Sequence, residues 1–257
     1  MLIVISPAKT LDFETLPITK DYTQAKFLTD SRWLISQLKK LSPCEISSLM
    51  KTSEKLGMLN FTRFDEWKTP FTMSNAKQAL LAFKGDVYTG LGAEKFSKKD
   101  LKFAQTHLRI LSGLYGVLRP LDLIQAYRLE MGTKFESEKG KDLYEFWNTK
   151  ITSEINKDIE ASKSKTLINL ASNEYFKSIH VEDIDAQIIA PVFKDYSKGR
   201  YKIISFFAKK ARGLMSAYII KNKLKDPEKI KAFNLGGYRF DESESSKTNW
   251  IFQRMQS

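Results

Sequence analysis

The 257-residue chain has the composition of a folded protein, because 42% of its residues are hydrophobic and 28% are charged. Its single cysteine excludes an internal disulfide and indicates a reducing compartment. No apolar run approaches the roughly 20 residues of a membrane-spanning helix, and the first ten residues lack the basic and apolar regions of a signal peptide. We therefore expect a cytoplasmic protein with no membrane partner.

The first predicted element is a buried strand, because the β-branched run LIVI ends at Ser6 and Pro7. Helical patterns then dominate from about residue 23 to 129. Capping boxes mark two helix starts, at Ser42 with Glu45 and at Ser97 with Asp100. Cys44 falls at the second position of the first of these helices. An exposed thiol there has a lowered pKa and would suit a peroxide sensor, although an ordinary first-turn cysteine is the favoured interpretation.

The second half of the chain changes character. KTLINLAS predicts a buried strand that leads into a polar loop, and the turn at Ser197, Lys198 and Gly199 predicts a hairpin. A helix is predicted over residues 208–223, and GGYRFDE and TNWIFQRM predict a last hairpin. Because strands occur at both ends with helices between them, we predict one mixed α/β globular unit over residues 1–257, with a mixed sheet flanked by helices.

The stretch LRILSGLYGVLRPLDL predicts a turn between two helices, with one helix ending near residue 111 and another opening near residue 120. Gly113 and Gly116 bracket this turn, and Arg109 and Arg119 flank it. Such a helix–hairpin–helix-like element, at about residues 98–130, would let backbone amides approach a phosphate. A tight helix–helix corner with a glycine C-cap is the alternative, and the glycine spacing alone favours it.

The positive charge is concentrated near the end of the chain. Residues 193–231 contain twelve Lys or Arg against three Asp or Glu, which is nine of the net twelve positive charges. Ala211, Leu214, Met215 and Tyr218 fall on one helix face, opposite the cations Lys209 and Arg212. With Lys210, Lys209 would lie in the first helical turn, where the helix dipole disfavours each cation by about 0.3–1 kcal/mol. This placement suits an approaching anion, so nucleic acid is the leading partner.

Seven strings spread along the chain carry a resemblance: LIVISPAKTLD, LAFKGDVYTGL, LRILSGLYGVLRPLDL, YRLEMG, GKDLYEFW, LINLASNEYFKS and IISFFAKKARGLMS. Together they resemble the bacterial peroxide stress protein YaaA family. The resemblance implies a cytoplasmic protein of the hydrogen peroxide response that limits free intracellular iron, and so iron-driven damage to DNA.

The resemblance also implies a single-domain α/β fold that binds duplex or distorted DNA through a positively charged cleft and a helix–hairpin–helix element. That element falls on residues 107–129, with Gly113 and Gly116 in its hairpin. Phosphate contacts would come from Arg109, Arg119, Lys209, Lys210 and Arg212, with Lys9 as a weaker addition. Base edges would not be read, because no residue pattern here suits them. The resemblance implies no catalytic residues.

An enzyme or small-ligand protein is the second hypothesis. Lys9 follows the first predicted strand and Glu174 follows another, and the carboxyl ends of strands in an α/β sheet are where sites gather. Lys9 would bind phosphate and Glu174 would act as a general base. A polar pocket that joins these two loops would favour this hypothesis. A continuous basic groove from the glycine turn to the helix at residue 208 would favour DNA.

No cofactor or metal centre is predicted. AFKGDVYTGLG matches neither a Walker A motif nor a dinucleotide fingerprint. His107 lies among apolar helix residues and is interpreted as a core histidine. His180 and Glu182 would share a strand face beside Asp183, where an acidic surface loop is favoured over a weak metal site.

Overall fold

The computed structural model describes residues 1–255. The strands that build or surround the site are β1 Leu2–Ile5, β2 Thr10–Leu11, β3 Thr23–Gln24, β4 Lys77–Gln78, β5 Phe83–Lys84, β6 Leu108–Ser112, β7 Gly116–Leu118, β8 Asp122–Ile124, β9 Thr166–Leu170, β10 Gln187–Ser197, β11 Arg200–Lys202, β12 Arg239–Asp241 and β13 Asn249–Arg254. The predicted mixed α/β fold is confirmed, with long stretches of helix between the strands.

The main sheet within residues 1–255 has eight strands, in the order β12-β13-β10-β9-β1-β6-β7, with β11 paired to β10. Its five central strands, β13, β10, β9, β1 and β6, are all parallel to one another. Antiparallel strands β12 and β7 close the two edges. β1 is buried along its whole length, as expected for a strand covered on both faces.

Helices lie between these strands along the chain: α1 Leu28–Leu38, α2 Pro43–Met50, α3 Glu54–Glu66, α4 Ala79–Ala82, α5 Asp86–Leu91, α6 Lys98–His107, α7 Leu143–Trp147, α8 Lys150–Ala161, α9 Asn173–Phe176 and α10 Ser205–Lys221. Both predicted capping boxes are confirmed, at the starts of α2 and α6. The predicted first strand, the KTLINLAS strand and the last hairpin are also confirmed.

The predicted helix–hairpin–helix at residues 98–130 is wrong. Helix α6 ends at His107, and the chain continues as the antiparallel pair β6 and β7 and then as β8. The residues from 108 to 118 are all buried, which the amphipathic pattern of a surface helix would not produce. β6 completes the parallel sheet beside β1, and this tertiary pairing overrides the helical pattern.

A two-helix hairpin does exist elsewhere, at α2 and α3. The two helices are joined by Lys51, Thr52 and Ser53, and Lys51 adopts the left-handed conformation that ends α2. Gly57 lets the helices approach closely, because a Cβ there would lie 1.9 Å from the Ser47 hydroxyl. The capping box predicts the start of α2, but no local signal in the sequence predicts this pairing.

Helix α10 differs from the predicted surface helix in two respects. It begins at Ser205, so Lys209 and Lys210 lie in its second turn rather than its first. It is also enclosed on several sides, since Ser216, which lies one turn after Arg212 on the same helix face, is fully buried. The hairpin before it is confirmed as β10 and β11, with positive φ angles at Lys198 and Gly199, but its second strand is shorter than predicted.

Candidate functional site

The carboxyl ends of β1 and β9 meet at a crevice. The chain continues from β1 to β6 on one side and from β9 to β10 on the other, so these adjacent strands form the topological switch point at which α/β proteins bind ligands. Ser6 and Ser172 lie there and are bonded to each other. The Ser172 amide donates to the Ser6 hydroxyl at 2.8 Å, and the two hydroxyl oxygens are 3.2 Å apart.

A cavity of about 420 Å³ opens above this crevice. It joins the loop that carries Lys9 to the loop that carries Glu174, which is the polar pocket expected of an enzyme or small-ligand protein. Its inner wall includes three largely buried tyrosines, Tyr88, Tyr127 and Tyr175. Burial raises the pKa of each of these phenols, so all three are neutral.

One wall is the extended segment 127–130, and Gly113 allows it to lie there. A Cβ on Gly113 would fall 2.3 Å from the Leu129 carbonyl oxygen, so only glycine fits beside this wall. The Tyr127 hydroxyl is bonded to Ser112 at the end of β6, at 2.7 Å. Further along, the Gly132 amide donates to the Glu174 carboxylate at 3.0 Å, which ties this wall to the loop after β9.

The opposite wall is formed by α5 and α10, whose backbones cross at two glycines. A Cβ on Gly213 would lie 1.9 Å from the Val87 carbonyl oxygen, and a Cβ on Gly90 would lie 2.2 Å from the Lys210 carbonyl oxygen. Each helix therefore presents a glycine to the backbone of the other. The close crossing fixes Asp86 on α5 and Arg212 on α10 around the same cavity.

Five cations and three carboxylates line the cavity, and several of them neutralise one another. Glu130 forms ion pairs with Lys9, at 2.7 Å, and with Arg128, at 2.9 Å. Lys84 lies 3.8 Å from Asp12, at the outer edge. These contacts pair three of the five cations with carboxylates.

Three charged side chains of the cavity have no such partner. Within residues 1–255, Lys209, Arg212 and Asp86 take part in no ion pair and no side-chain hydrogen bond. Lys209 is exposed, whereas Arg212 and Asp86 are half-buried. Burial lowers the pKa of Arg212, and a half-buried guanidinium without a counter-ion is a strong attractant for an oxyanion.

Only three of the residues predicted to bind DNA come together. Lys9, Lys209 and Arg212 line the cavity, and Lys210 is exposed outside its lining. Arg109 is instead buried, and both its Nε and Nη2 atoms donate to Asp158 at 2.5 Å. Arg119 is 40% exposed and paired with Asp122. The expectation that Arg109 reaches a phosphate is therefore wrong.

The two turn glycines are also placed differently from the prediction. Gly113 is packed against the Leu129 backbone, and a Cβ on Gly116 would fall 2.8 Å from the Trp147 ring. Gly116 has a φ of 68°, which favours glycine. Both glycines are buried, so their amides cannot meet a phosphate and this turn cannot form one end of a basic groove.

The histidines and the cysteine have simple surroundings. His107 is confirmed as a core residue: its Nδ1 lies 3.0 Å from the Met1 carbonyl oxygen, and burial lowers its pKa. His180 and its acidic neighbours Glu182 and Asp183 lie on a short 3-10 turn rather than a strand, with their ligand atoms within 4.8 Å of one another. Cys44 is exposed in the first turn of α2, as predicted.

Most of the cavity wall escaped prediction from the sequence. Tyr88, Tyr127, Tyr175 and Arg128 were not identified, although each lies in a string that carries the family resemblance. Five of those seven strings meet at this one cavity. Their convergence was the signal available, but nothing in a linear sequence shows which strings meet.

These features define a mixed α/β protein with a ligand-sized pocket at the carboxyl edge of a parallel sheet. No helix among residues 1–255 has the length and apolar character needed to cross a membrane.

The sequence pattern of the family described as peroxide stress protein YaaA matches residues 1–244. UPF0246 proteins of Teredinibacter turnerae and Saccharophagus degradans are 59% and 58% identical to this chain over the full length of both sequences. A UPF0246 protein of Cellvibrio japonicus is 56% identical over 99% of this chain and 98% of its own length. The chain belongs to the peroxide stress protein YaaA family.

Proposed function

We propose that this chain serves the peroxide stress response in the cytoplasm by binding an anionic, phosphate-bearing ligand in the cavity at the ends of β1 and β9. The observation that supports this proposal is the pair Lys209 and Arg212. Both line the cavity from one helix, and neither has a carboxylate partner within residues 1–255. The other three cations of the cavity, Lys9, Lys84 and Arg128, each have one.

Leaving Arg212 without a counter-ion is costly to the folded protein. Its guanidinium is half-buried, and burial lowers its pKa, which means that the folded protein disfavours the charged form. A phosphate or carboxylate accepts two parallel hydrogen bonds from a guanidinium and would restore the lost solvation. Lys209, one helical turn earlier, adds a second positive charge on the same side.

Isothermal titration calorimetry with inorganic phosphate and pyrophosphate tests this proposal. We expect saturable binding that weakens about tenfold or more in Arg212→Gln, since a charge-assisted pair is worth about 1.5–3 kcal/mol. Arg212→Lys should retain part of the affinity because the charge remains without the planar fork. Lys221→Gln, an exposed lysine on the same helix, is the matched control and should bind normally. Absence of binding to either anion would refute the proposal.

DNA binding is the second candidate, and a different observation favours it. Residues 196–225 contain nine Lys or Arg and no Asp or Glu. Lys198, Arg200, Lys209 and Lys210 in this stretch are exposed and make no ion pair within the described part of the chain. Such a surface would hold phosphates of duplex or distorted DNA without reading base edges. The lowering of free iron would then follow indirectly or through a partner.

Affinity for a labelled duplex over a salt series tests this second candidate. We expect the slope of affinity against salt to fall by about one for each lost phosphate contact in Lys209→Ala and Lys210→Ala. Lys51→Ala and Lys55→Ala, at the α2–α3 turn, form a comparison pair on a different surface. If both pairs of variants lose the same affinity for DNA, the duplex binds through the overall positive charge of the protein rather than through α10. Absence of binding at low salt would refute DNA binding.

A further inference from the structure

Asp86 faces the same cavity as Arg212 but does not neutralise it. The two side chains line one cavity from adjacent helices, yet no ion pair joins them within residues 1–255. Both are half-buried. An occupant that satisfies both must carry a negative group toward Arg212 and a hydrogen-bond donor toward Asp86, because an ionised carboxylate only accepts.

The two positions must also be close together in such an occupant. Asp86 is the first residue of α5, and Val87 follows it. Val87 lies against Gly213 of α10, and Gly213 directly follows Arg212 in the chain. The donor group therefore lies near the anionic group. In a nucleoside 5′-monophosphate, one methylene group joins the phosphate to the sugar ring that carries the hydroxyls, and a carboxylate commonly accepts hydrogen bonds from these hydroxyls in α/β proteins.

The three tyrosines of the inner wall offer aromatic rings to an occupant. The Tyr88 hydroxyl donates to the Ser6 carbonyl oxygen at 3.1 Å, and the Tyr127 hydroxyl is bonded to Ser112. With these hydroxyls engaged, the tyrosines, together with Val87 and Leu129, present mainly apolar surface to the cavity. An apolar, aromatic wall suits a flat heterocyclic ring.

We infer that the cavity holds a nucleoside monophosphate unit. Its phosphate lies on Lys209 and Arg212, its sugar hydroxyls face Asp86, and its base lies against the wall of Tyr88, Tyr127 and Tyr175. The volume of about 420 Å³ accommodates a ligand of this size, and the switch point between β1 and β9 is where nucleotides bind in open α/β sheets. This inference rests on the proposed phosphate-binding function and specifies its ligand.

A ligand series on the unaltered protein tests the inference. Calorimetry would compare inorganic phosphate, ribose 5-phosphate, adenosine and adenosine monophosphate. We expect the nucleotide to bind about fivefold or more tightly than ribose 5-phosphate, since that is the smallest factor expected of a stacked base. If phosphate binds but the nucleotide gains nothing, the inference fails while the proposed function stands. If no phosphate compound binds, both fail.

The Asp86→Asn variant separates the sugar contact from the phosphate contact. It should weaken adenosine monophosphate about tenfold without weakening inorganic phosphate, whereas Arg212→Gln should weaken both. If Asp86→Asn disturbs the start of α5, the 2′,3′-dideoxy nucleotide on the unaltered protein replaces it, and equal affinity for both nucleotides would overturn the sugar contact. A short 5′-phosphorylated oligonucleotide distinguishes the source. Tighter binding of the oligonucleotide indicates a nucleotide unit of a strand, and tighter binding of the monophosphate indicates a free nucleotide.

Discussion

Two basic regions of this chain look alike in sequence and differ in the fold. The first, residues 108–119, contains two arginines and two glycines, and the second, residues 196–225, contains nine cations and no carboxylate. The first is a β-hairpin inside the protein, in which Arg109 is paired with Asp158. The second leaves Lys209 and Arg212 without partners, within residues 1–255, at a cavity.

The difference shows that the position of carboxylates, rather than the number of cations, decides whether a basic segment is available for a ligand. Asp158 lies on α8, far along the chain from Arg109, and its contact with the guanidinium follows only from the tertiary fold. In the second region, the local absence of acid leaves fewer such partners, and Lys223 is paired only because Asp100 reaches it from α6. Substitutions in the two regions should therefore change stability and ligand binding by different amounts.

Arg109→Ala should have the largest effect. Removing one partner of a buried, bidentate pair leaves Asp158 uncompensated, which costs about 3–5 kcal/mol. Urea unfolding followed by circular dichroism measures this loss. Asp158→Asn is the reciprocal control, and the double variant Arg109→Met with Asp158→Leu should be less damaged than Arg109→Ala. If Arg109→Ala instead keeps the stability of the unaltered protein but loses affinity for DNA, Arg109 is a DNA-binding residue rather than a structural one.

Gly113→Ala should be the next most damaging change. The added Cβ would meet the Leu129 carbonyl oxygen at 2.3 Å, and relieving such overpacking costs about 1–3 kcal/mol. Gly199→Asn is the matched control, because a Cβ there would meet no atom of residues 1–255 within 4 Å apart from its chain neighbours, and asparagine tolerates its positive φ. If the hairpin amides instead bound phosphate, Gly113→Ala would weaken ligand binding at unchanged stability.

Much of the fold could be predicted from local signals. The apolar run of β1, the two capping boxes and the turn at Lys198 and Gly199 each specify their element within a few residues. The β6–β7 hairpin could not be predicted in this way. Its fully buried pattern suits a helix or a strand equally, and the pairing of β6 with β1 decided between them.

The site was predictable only in part, for a related reason. Lys9 and Glu174 were identified because each follows a strand, and parallel strands bring such loops to one edge. The tyrosine wall was not, since Tyr88 and Tyr127 reach the cavity through a helix crossing at Gly213 and a close approach at Gly113. The only sign of such a close backbone approach in the sequence is a glycine. Glycines also occur in turns and at helix ends, where no second backbone is near, so this sign is not specific.

Asp100→Asn should have a smaller, pH-dependent effect. Burial opposes ionisation, but hydrogen bonds from Lys223 and Ser97 prevail and lower the pKa of Asp100 to about 2. Because this pKa lies below the ordinary value of 3.8, the ionised form stabilises the fold, fully above about pH 4 and progressively less toward pH 2. We expect Asp100→Asn to lower the free energy of unfolding by about 1 kcal/mol at pH 7 and by less at pH 3.

Urea unfolding at pH 7 and pH 3 measures this change. Glu45→Gln is the matched control, since Glu45 forms the same kind of capping box without a lysine partner and should lose less. An Asp100→Asn loss that is equal at both pH values would show that the charge of Asp100 contributes nothing.

Arg212→Gln should have the smallest effect on stability and the sharpest effect on function. Removing an unpaired, half-buried cation relieves a desolvation cost, so the ligand-free protein should be unchanged or more stable by up to about 1 kcal/mol. Phosphate affinity should nevertheless fall. Arg109→Ala is expected to do the reverse, because it lowers stability and does not touch the phosphate site. Thermal unfolding with and without phosphate measures both quantities in one experiment, because a bound ligand raises the melting temperature to an extent set by its affinity. A clear loss of stability without ligand would show that Arg212, like Arg109, is a structural cation, and the two regions would then no longer differ.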